Sequence, residues 1–226
     1  MIGEVRVVDD VPGVFAEVVA IEIDRVLGAA DAPAAFRIGC SGSSSAARAF
    51  ARLAENDTVP WGRLACYFVD ERCVAPDSPE ANQQTLREAL APRLSGLARF
   101  AVMDCSLGAA AYEEILRNEG TYHLAQLGMG PDGHTASLFP HSPGLAAPAD
   151  RLVVDNVDPS GRNVHPRLSL TFAALAAIPR LVMTVTGADK ADALAKVDAG
   201  EDLPAARVDS SSVLWLCDEA AAAGLS

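Results

Sequence analysis

Tyr122-His123-Leu124-Ala125-Gln126-Leu127 runs directly into Gly128-Met129-Gly130-Pro131-Asp132-Gly133-His134, an apolar strand followed at once by a glycine-built loop. The same pattern recurs elsewhere in the chain. Ala35–Gly39 leads into Cys40-Ser41-Gly42-Ser43-Ser44, Leu64–Val69 into Asp70-Glu71-Arg72, and Arg180–Thr186 into Gly187-Ala188-Asp189-Lys190. Further short apolar runs lie at Val5–Val8, Arg99–Met103, Leu152–Asn156 and Val213–Leu216. Between the strands sit longer Ala/Leu/Arg/Glu-rich stretches with helical spacing: Val14–Leu27, Ser44–Glu55, Glu80–Leu90, Ala109–Asn118 and Asp189–Ala199, the last with Gly200 placed to cap it. Strand and helix alternating from end to end predict an α/β fold. It should have three layers, a mostly parallel Rossmann-like sheet with helices on both faces, in a single domain over 1–226. In such a sheet the C-terminal strand ends share one rim, where backbone N–H groups and helix N-termini face outward to a ligand. Four separated loops are therefore expected to build one site.

The 226 residues are half hydrophobic and 21% charged, a globular composition long enough to bury roughly 70–75% of the unfolded surface. The opening residues lack a basic segment followed by an apolar run, and no apolar stretch is long enough to span a bilayer, so a soluble cytoplasmic protein is expected. Five cysteines at 40, 66, 73, 105 and 217 form no C-x-x-C pair, which reads as buried free thiols rather than a disulfide framework or a zinc site. With 18 basic against 30 acidic side chains the net charge is -12, which repels nucleic acid and anionic membrane. An anionic ligand must then meet a local positive pocket, and Lys190 is one of only two lysines.

Gly128 to Gly133 matches G-x-G-x-x-G, but a dinucleotide-binding turn must open a helix, and Leu138-Phe139-Pro140-His141-Ser142-Pro143-Gly144 breaks one within two turns. The other reading is a tight loop presenting Asp132 and His134, the carboxylate placed to orient the imidazole. No cofactor is expected. His134 and His141 match no standard zinc spacing, so no metal is expected either. Gly39-Cys40-Ser41-Gly42-Ser43 fails the nucleophile elbow G-x-S-x-G, because serine stands where its second glycine belongs. As a hydroxyl-rich loop entering a helix, Ser41-Gly42-Ser43-Ser44 suits an anion, with Ser43 or Ser44 as N-cap. Arg72 and Lys190 read either as solvated charges or as phosphate contacts.

Taken together these segments resemble 6-phosphogluconolactonases. The resemblance rests on Leu127 to Pro140, LGMGPDGHTASLFP; on Val69 to Pro76, VDERCVAP, with Asn82; on His165-Pro166-Arg167-Leu168-Ser169-Leu170-Thr171 paired with Gly187-Ala188-Asp189-Lys190; and on Leu214-Trp215-Leu216-Cys217-Asp218. It spans nearly the whole chain in order. Two departures stand out: the family's S-G-G-S-T-P loop is here Cys40-Ser41-Gly42-Ser43-Ser44-Ser45, and its common aspartate before the signature strand is His123. Glucosamine-6-phosphate deaminases share the fold but carry D-E-Y and an F-N-E-P continuation, where this chain has Arg72 and Thr135-Ala136-Ser137-Leu138-Phe139-Pro140.

The resemblance implies hydrolysis of a phosphorylated sugar lactone in the oxidative pentose phosphate pathway, without metal or cofactor. His134 would act as general base and Asp132 would orient it. Ser41, Gly42, Ser43, Ser44, Arg72, Gly130, Arg167 and Lys190 would hold the substrate and its phosphate. No nucleic-acid or membrane partner is expected, and the protein should be a monomer or weak homo-oligomer. The alternatives are a deaminase-like sugar-phosphate enzyme and a non-catalytic sugar-phosphate sensor; the sensor reading lacks a basic patch or room for a helix-turn-helix.

Overall fold

The computed structural model describes residues 3–225. Among them ten strands form: β1 (Glu4–Val7), β2 (Phe36–Cys40), β3 (Leu64–Phe68), β4 (Asp70–Arg72), β5 (Arg99–Ala101), β6 (Leu124–Leu127), β7 (Val153–Asn156), β8 (Arg167–Leu170), β9 (Arg180–Val185) and β10 (Ser212–Cys217). The helices are α1 (Val11–Leu27), α2 (Ser44–Ala54), α3 (Asn82–Ala89), α4 (Gly108–Glu119), α5 (Phe172–Ala176), α6 (Ala191–Asp198) and α7 (Glu219–Ala222). Seven strands make one sheet in the order β1-β10-β9-β6-β2-β3-β5, with every neighbouring pair parallel. Every residue of β3 and β6 is buried, as expected for inner strands of a parallel sheet covered on both faces. Helices surround this sheet, α1 and α2 packing on each other while α1 lies along β2, β9 and β10.

Chain order places the ligand crevice. From β2 the chain moves outward through β3 to β5, then returns to lay β6 on the other side of β2 and moves outward again through β9 and β10. The loops after β2 and β6 therefore part in opposite directions and leave a gap at the C-terminal rim, the usual ligand position in open parallel sheets.

A second sheet covers part of that rim. Asp70–Arg72, read from sequence only as a polar strand end, forms β4, and β8 was not anticipated as a strand at all. The stretch Leu152–Asn156 supplies β7 outside the parallel sheet, and the three pair antiparallel in the order β4-β8-β7. The Val69 amide closes the ladder on Cys40 O at 3.0 Å before the chain turns away from β3. Pairing then sets Arg72 opposite Arg167 and Asp70 opposite Ser169.

Local signals behave as their chemistry requires. Ser43 caps α2 by accepting from the Ala46 amide at 3.2 Å. Gly200 follows α6 with φ +80°, the left-handed conformation that lets glycine end a helix. The cysteines need correction: Cys40, Cys66 and Cys217 are free and buried, but Cys73 and Cys105 form a disulfide with Cα atoms 5.4 Å apart. No spacing announced it, because the end of β4 and the loop after β5 meet only in the fold. Closing a loop of this length removes on the order of 3–4 kcal/mol of unfolded-chain entropy; in a reducing compartment the same geometry would hold two adjacent thiols.

His123 shows what its side chain does in place of an aspartate. Its amide donates to Arg37 O at 2.9 Å, and its Nδ1 accepts the Arg37 amide at 2.8 Å, as a carboxylate oxygen would. Burial, with the Arg37 and Arg25 charges adding to it, pushes the imidazole down to about 4. In the unfolded chain it takes its proton near its ordinary value of roughly 6.5. Between those values the unfolded state binds more protons, so the neutral ring's contribution is complete above the unfolded value and is lost as pH falls toward the folded one. The melting temperature is expected to fall more steeply from pH 6.5 to 4 in wild type than in His123→Asn, whose amide oxygen can still accept. Parallel melting curves across that window would remove His123 from the acid response.

Candidate active site

Ser41–Ser45, Arg72, Gly128–Pro131, His134, Arg167 and Lys190 line a single cleft of about 200 Å³ at the C-terminal rim, beside the gap between β2 and β6. All the residues expected from sequence to hold substrate lie on this surface, as does the His134 ring. Asp132 does not: it lies behind the imidazole and lines a separate hollow together with His141. Among the described residues no group of three or more His, Cys, Asp or Glu side chains has a metal-holding arrangement.

The 128–134 loop is closed on itself. The Gly130 amide donates to His134 O at 2.9 Å, the Gly133 amide to Gly130 O at 2.9 Å, and the Thr135 hydroxyl to Gly128 O at 2.8 Å. No helix opens here, so the glycine pattern serves a tight turn. At Gly130 a Cβ would stand 2.2 Å from the His134 ring and 2.6 Å from Asp132 Oδ1, so only glycine leaves room for the pair. The His134 ring also packs on Phe139, with centroids 4.9 Å apart.

His134 Nδ1 lies 2.5 Å from Asp132 Oδ1, and the His134 amide donates to the same oxygen at 3.2 Å. Burial pushes the Asp132 carboxyl up, but these hydrogen bonds outweigh it and hold the group below its ordinary value. Asp132 is thus an acceptor-only carboxylate at neutral pH, which assigns the ring hydrogen to Nδ1 and leaves Nε2 with a free lone pair in the neutral ring.

The second sheet contributes two of the three cations, Arg72 and Arg167. Burial lowers the Arg167 guanidinium below its ordinary value; Asp70 opposes the shift and the Arg72 charge adds to it. Arg167 Nε donates to His165 O at 3.2 Å, and the guanidinium sits 5.8 Å over the Phe139 ring. Arg72 Nη1 donates to Glu80 O at 3.1 Å, while its Nε is buried with no partner. Two facing guanidiniums, one with an orphaned donor, make a pocket suited to an anion. Lys190, at the N-cap of α6, pairs at 2.9 Å with the exposed Asp189 and with no other acidic side chain among the described residues, a weak surface contact.

Beneath the cations lies a buried carboxylate scaffold. Glu71 accepts the amides of Arg72, Asn82 and Gln83 at 2.7, 2.6 and 2.8 Å, tying β4 to the start of α3. Burial pushes its carboxyl up to about 7 despite those three donors. Asp70 accepts from Asn82 Nδ2 at 3.1 Å and from the Ser137 hydroxyl at 2.6 Å. Gly42 permits the anion loop to press on this scaffold, since a Cβ there would stand 2.3 Å from Asn82 Cγ.

Sequence reasoning did not assign site positions to Asp70, Asn82, Ser137, Asn163, Thr184 and Thr186, all of which line the cleft. Asp70 and Asn82 lay inside motifs already in view. Thr184 and Thr186 carried a usable signal, hydroxyls at alternate positions at the C-terminal end of a strand. Ser137 also lay inside the Leu127–Pro140 motif, but its turn toward the cleft follows Ala136, whose φ of 47° no local pattern announces.

Comparison with known proteins gives a consistent result. A family model described as glucosamine-6-phosphate isomerases/6-phosphogluconolactonase matches residues 12–215. The 6-phosphogluconolactonase of Nostoc sp. is 34% identical, with 84% of this chain and 85% of the relative covered. The crystal structure of 6-phosphogluconolactonase from Thermotoga maritima superposes with a TM-score of 0.83 at 27% identity, covering 95% of this chain and 99% of that one. A monomeric glucosamine-6-phosphate deaminase superposes with a TM-score of 0.79 at 16% identity, over 98% and 99% of the two chains, a likeness of fold alone.

Proposed function

Because the chain belongs to the glucosamine-6-phosphate isomerase/6-phosphogluconolactonase family, we propose that it hydrolyses 6-phospho-D-glucono-1,5-lactone to 6-phospho-D-gluconate with His134 as general base. The observation that carries this reading is the Asp132–His134 pair, its imidazole lining the same cleft as Arg72, Arg167 and Lys190. A lactone carbonyl is already an activated ester, so the step asks for no covalent nucleophile and no metal.

In the proposed reaction a water attacks the lactone carbonyl while Nε2 of His134 takes its proton, and Asp132 stabilises the imidazolium through Nδ1–H. Amides of the 128–134 loop, or Arg72, stabilise the oxyanion. As the ring opens, His134 returns the proton to the ring oxygen, which leaves as the hydroxyl of the product. Arg72, Arg167, Lys190 and the Gly42–Ser44 part of the anion loop hold the phosphate, supplying binding energy remote from the bond that breaks. Ser41, expected from sequence to join them, instead gives both its amide and its hydroxyl hydrogen to Gln126 Oε1 and shapes the loop from beneath. Gly130 lets the loop backbone approach the substrate. The protein is expected to work in the cytoplasm as a monomer or weak homo-oligomer. Among the described residues no helix is long and apolar enough to cross a membrane.

Fresh 6-phosphogluconolactone in weak buffer tests the proposal, because the product is a stronger acid than the lactone. Proton release well above the spontaneous rate is expected, with no ammonia from glucosamine 6-phosphate. Binding without accelerated proton release would favour a sensor, and ammonia release a deaminase.

A further inference from the structure

The polarity of the cleft floor is set by a buried hydrogen-bond relay. Gln126, fully buried on β6, receives the Ser41 amide on Oε1 at 3.3 Å and the Ser41 hydroxyl on the same atom at 2.7 Å. A backbone N–H can only donate, so that atom must be the oxygen and the amide group cannot be reversed. Its Nε2 then donates to Thr184 Oγ1 at 2.9 Å. Thr184 is an acceptor in that contact, and its own hydroxyl hydrogen has no acceptor among the described residues, although the residue is only 1% exposed and lines the cleft. A buried donor left without a partner is costly, and such groups mark sites that a ligand completes.

The arrangement repeats two residues further on, just past the end of β9. Thr186 Oγ1 accepts from Arg48 Nη2 at 3.0 Å and also lines the cleft, and its hydrogen has no acceptor among the described residues. Lys190, which only donates, follows on the same rim. Ser137 is wired oppositely: its hydrogen goes to Asp70 Oδ2, leaving only lone pairs for a ligand. On the β9 side of the cleft both threonines thus have a hydrogen to give while one of their two lone pairs is already occupied, and Lys190 has only hydrogens. A phosphate dianion, with three acceptor oxygens and no hydrogen to give, matches such a surface better than a sugar hydroxyl does.

We propose that Thr184 and Thr186 are specificity-determining residues that donate to the phosphoryl oxygens of the substrate, and that Gln126 is a positioning residue dictating which way the Thr184 hydroxyl points. The inference rests on the sugar-phosphate reading above. It adds a prediction about hydrogen-bond direction: reversing the donor sense of residue 126 should act like deleting the Thr184 hydroxyl.

The test compares kcat/KM on 6-phosphogluconolactone with that on unphosphorylated glucono-1,5-lactone. Thr184→Val, of the same shape, is expected to lower the phosphorylated-to-unphosphorylated ratio about 10-fold, the usual scale for one hydrogen bond to a charged group. Thr184→Ser should restore it, and Thr186→Val should lower it at a less buried position. Gln126→Glu, which puts an acceptor against Thr184 and turns its hydrogen away from the cleft, should reproduce Thr184→Val. Stabilisation of the fold by inorganic phosphate, read as a melting shift, supplies a readout independent of turnover and should shrink in the same variants. If wild type binds phosphate through Thr184 yet hydrolyses no lactone, the functional reading falls and this inference stands. If wild type is an active lactonase but Thr184→Val and Thr186→Val keep both the substrate ratio and the phosphate shift, the inference is overturned. It is likewise overturned if both lactones lose rate equally, because the hydroxyls would then contact the sugar.

Discussion

Replacing His134 with alanine is expected to lower kcat on 6-phosphogluconolactone by about 10²–10⁴, the range over which a positioned general base accelerates proton transfer. The expectation rests on geometry: Asp132 holds Nδ1, so the only lone pair on the neutral ring is at Nε2, on a side chain that lines the cleft. The substrate phosphate would be gripped by groups on other elements, so KM should change far less than kcat. That split separates loss of a base from loss of the pocket. Because the ring also packs on Phe139, a fall in activity must be read beside the melting temperature. His134→Gln keeps much of the volume but cannot carry a proton, and it should be nearly as slow as alanine. Turnover at the wild-type rate after subtraction of spontaneous hydrolysis, in either variant, would exclude His134 as the base.

Asp132→Asn is expected to be the next most damaging change, lowering kcat about 10²–10³, or roughly 3–4 kcal/mol of transition-state stabilisation. A carboxylate behind a catalytic imidazole fixes its tautomer and stabilises the imidazolium, and losing both functions is worth up to about 10⁴ in other enzymes. Here the loss should be smaller, because an asparagine oxygen can still accept from Nδ1–H and from the His134 amide that Asp132 now binds. Only the charge disappears, and the uncharged partner supports the protonated ring less well. Asp132 lies outside the cleft that would hold the substrate, so KM is expected to stay near the wild-type value. A large rise in KM with kcat intact would mean that Asp132 contacts substrate, and the orienting role would be wrong.

Much of this site was legible because parallel strands and glycine loops are local patterns. The buried runs of β3, β6 and β9 alternate with amphipathic helices, and the loops at 41–45 and 128–134 carry residue types that few other backbone conformations demand. The pairing of β4 with β8 was not legible. Asp70-Glu71-Arg72 and Arg167-Leu168-Ser169-Leu170 are too short and too polar to read as strands, and nothing local in either stretch names the other as partner. That pairing nonetheless decides that Arg72 and Arg167 face one another, and hence that their charges add in one place. The Cys73–Cys105 bond was hidden for the same reason, as was the proton direction along Ser41, Gln126 and Thr184, which depends on three strands lying side by side.

From sequence alone came the α/β alternation, the rim on which the loops gather, and the residue types of the chemistry, since each depends on preferences acting over a few neighbouring positions. Only the tertiary structure decided that Asp132 stands behind the His134 ring and lines a separate hollow rather than the cleft, that two arginines share one antiparallel register, and that Thr184 accepts a hydrogen bond from Gln126 at the cleft floor. Those features are set by contacts between residues far apart in the chain, whose geometry becomes defined only when the sheet closes and each buried donor must find its acceptor.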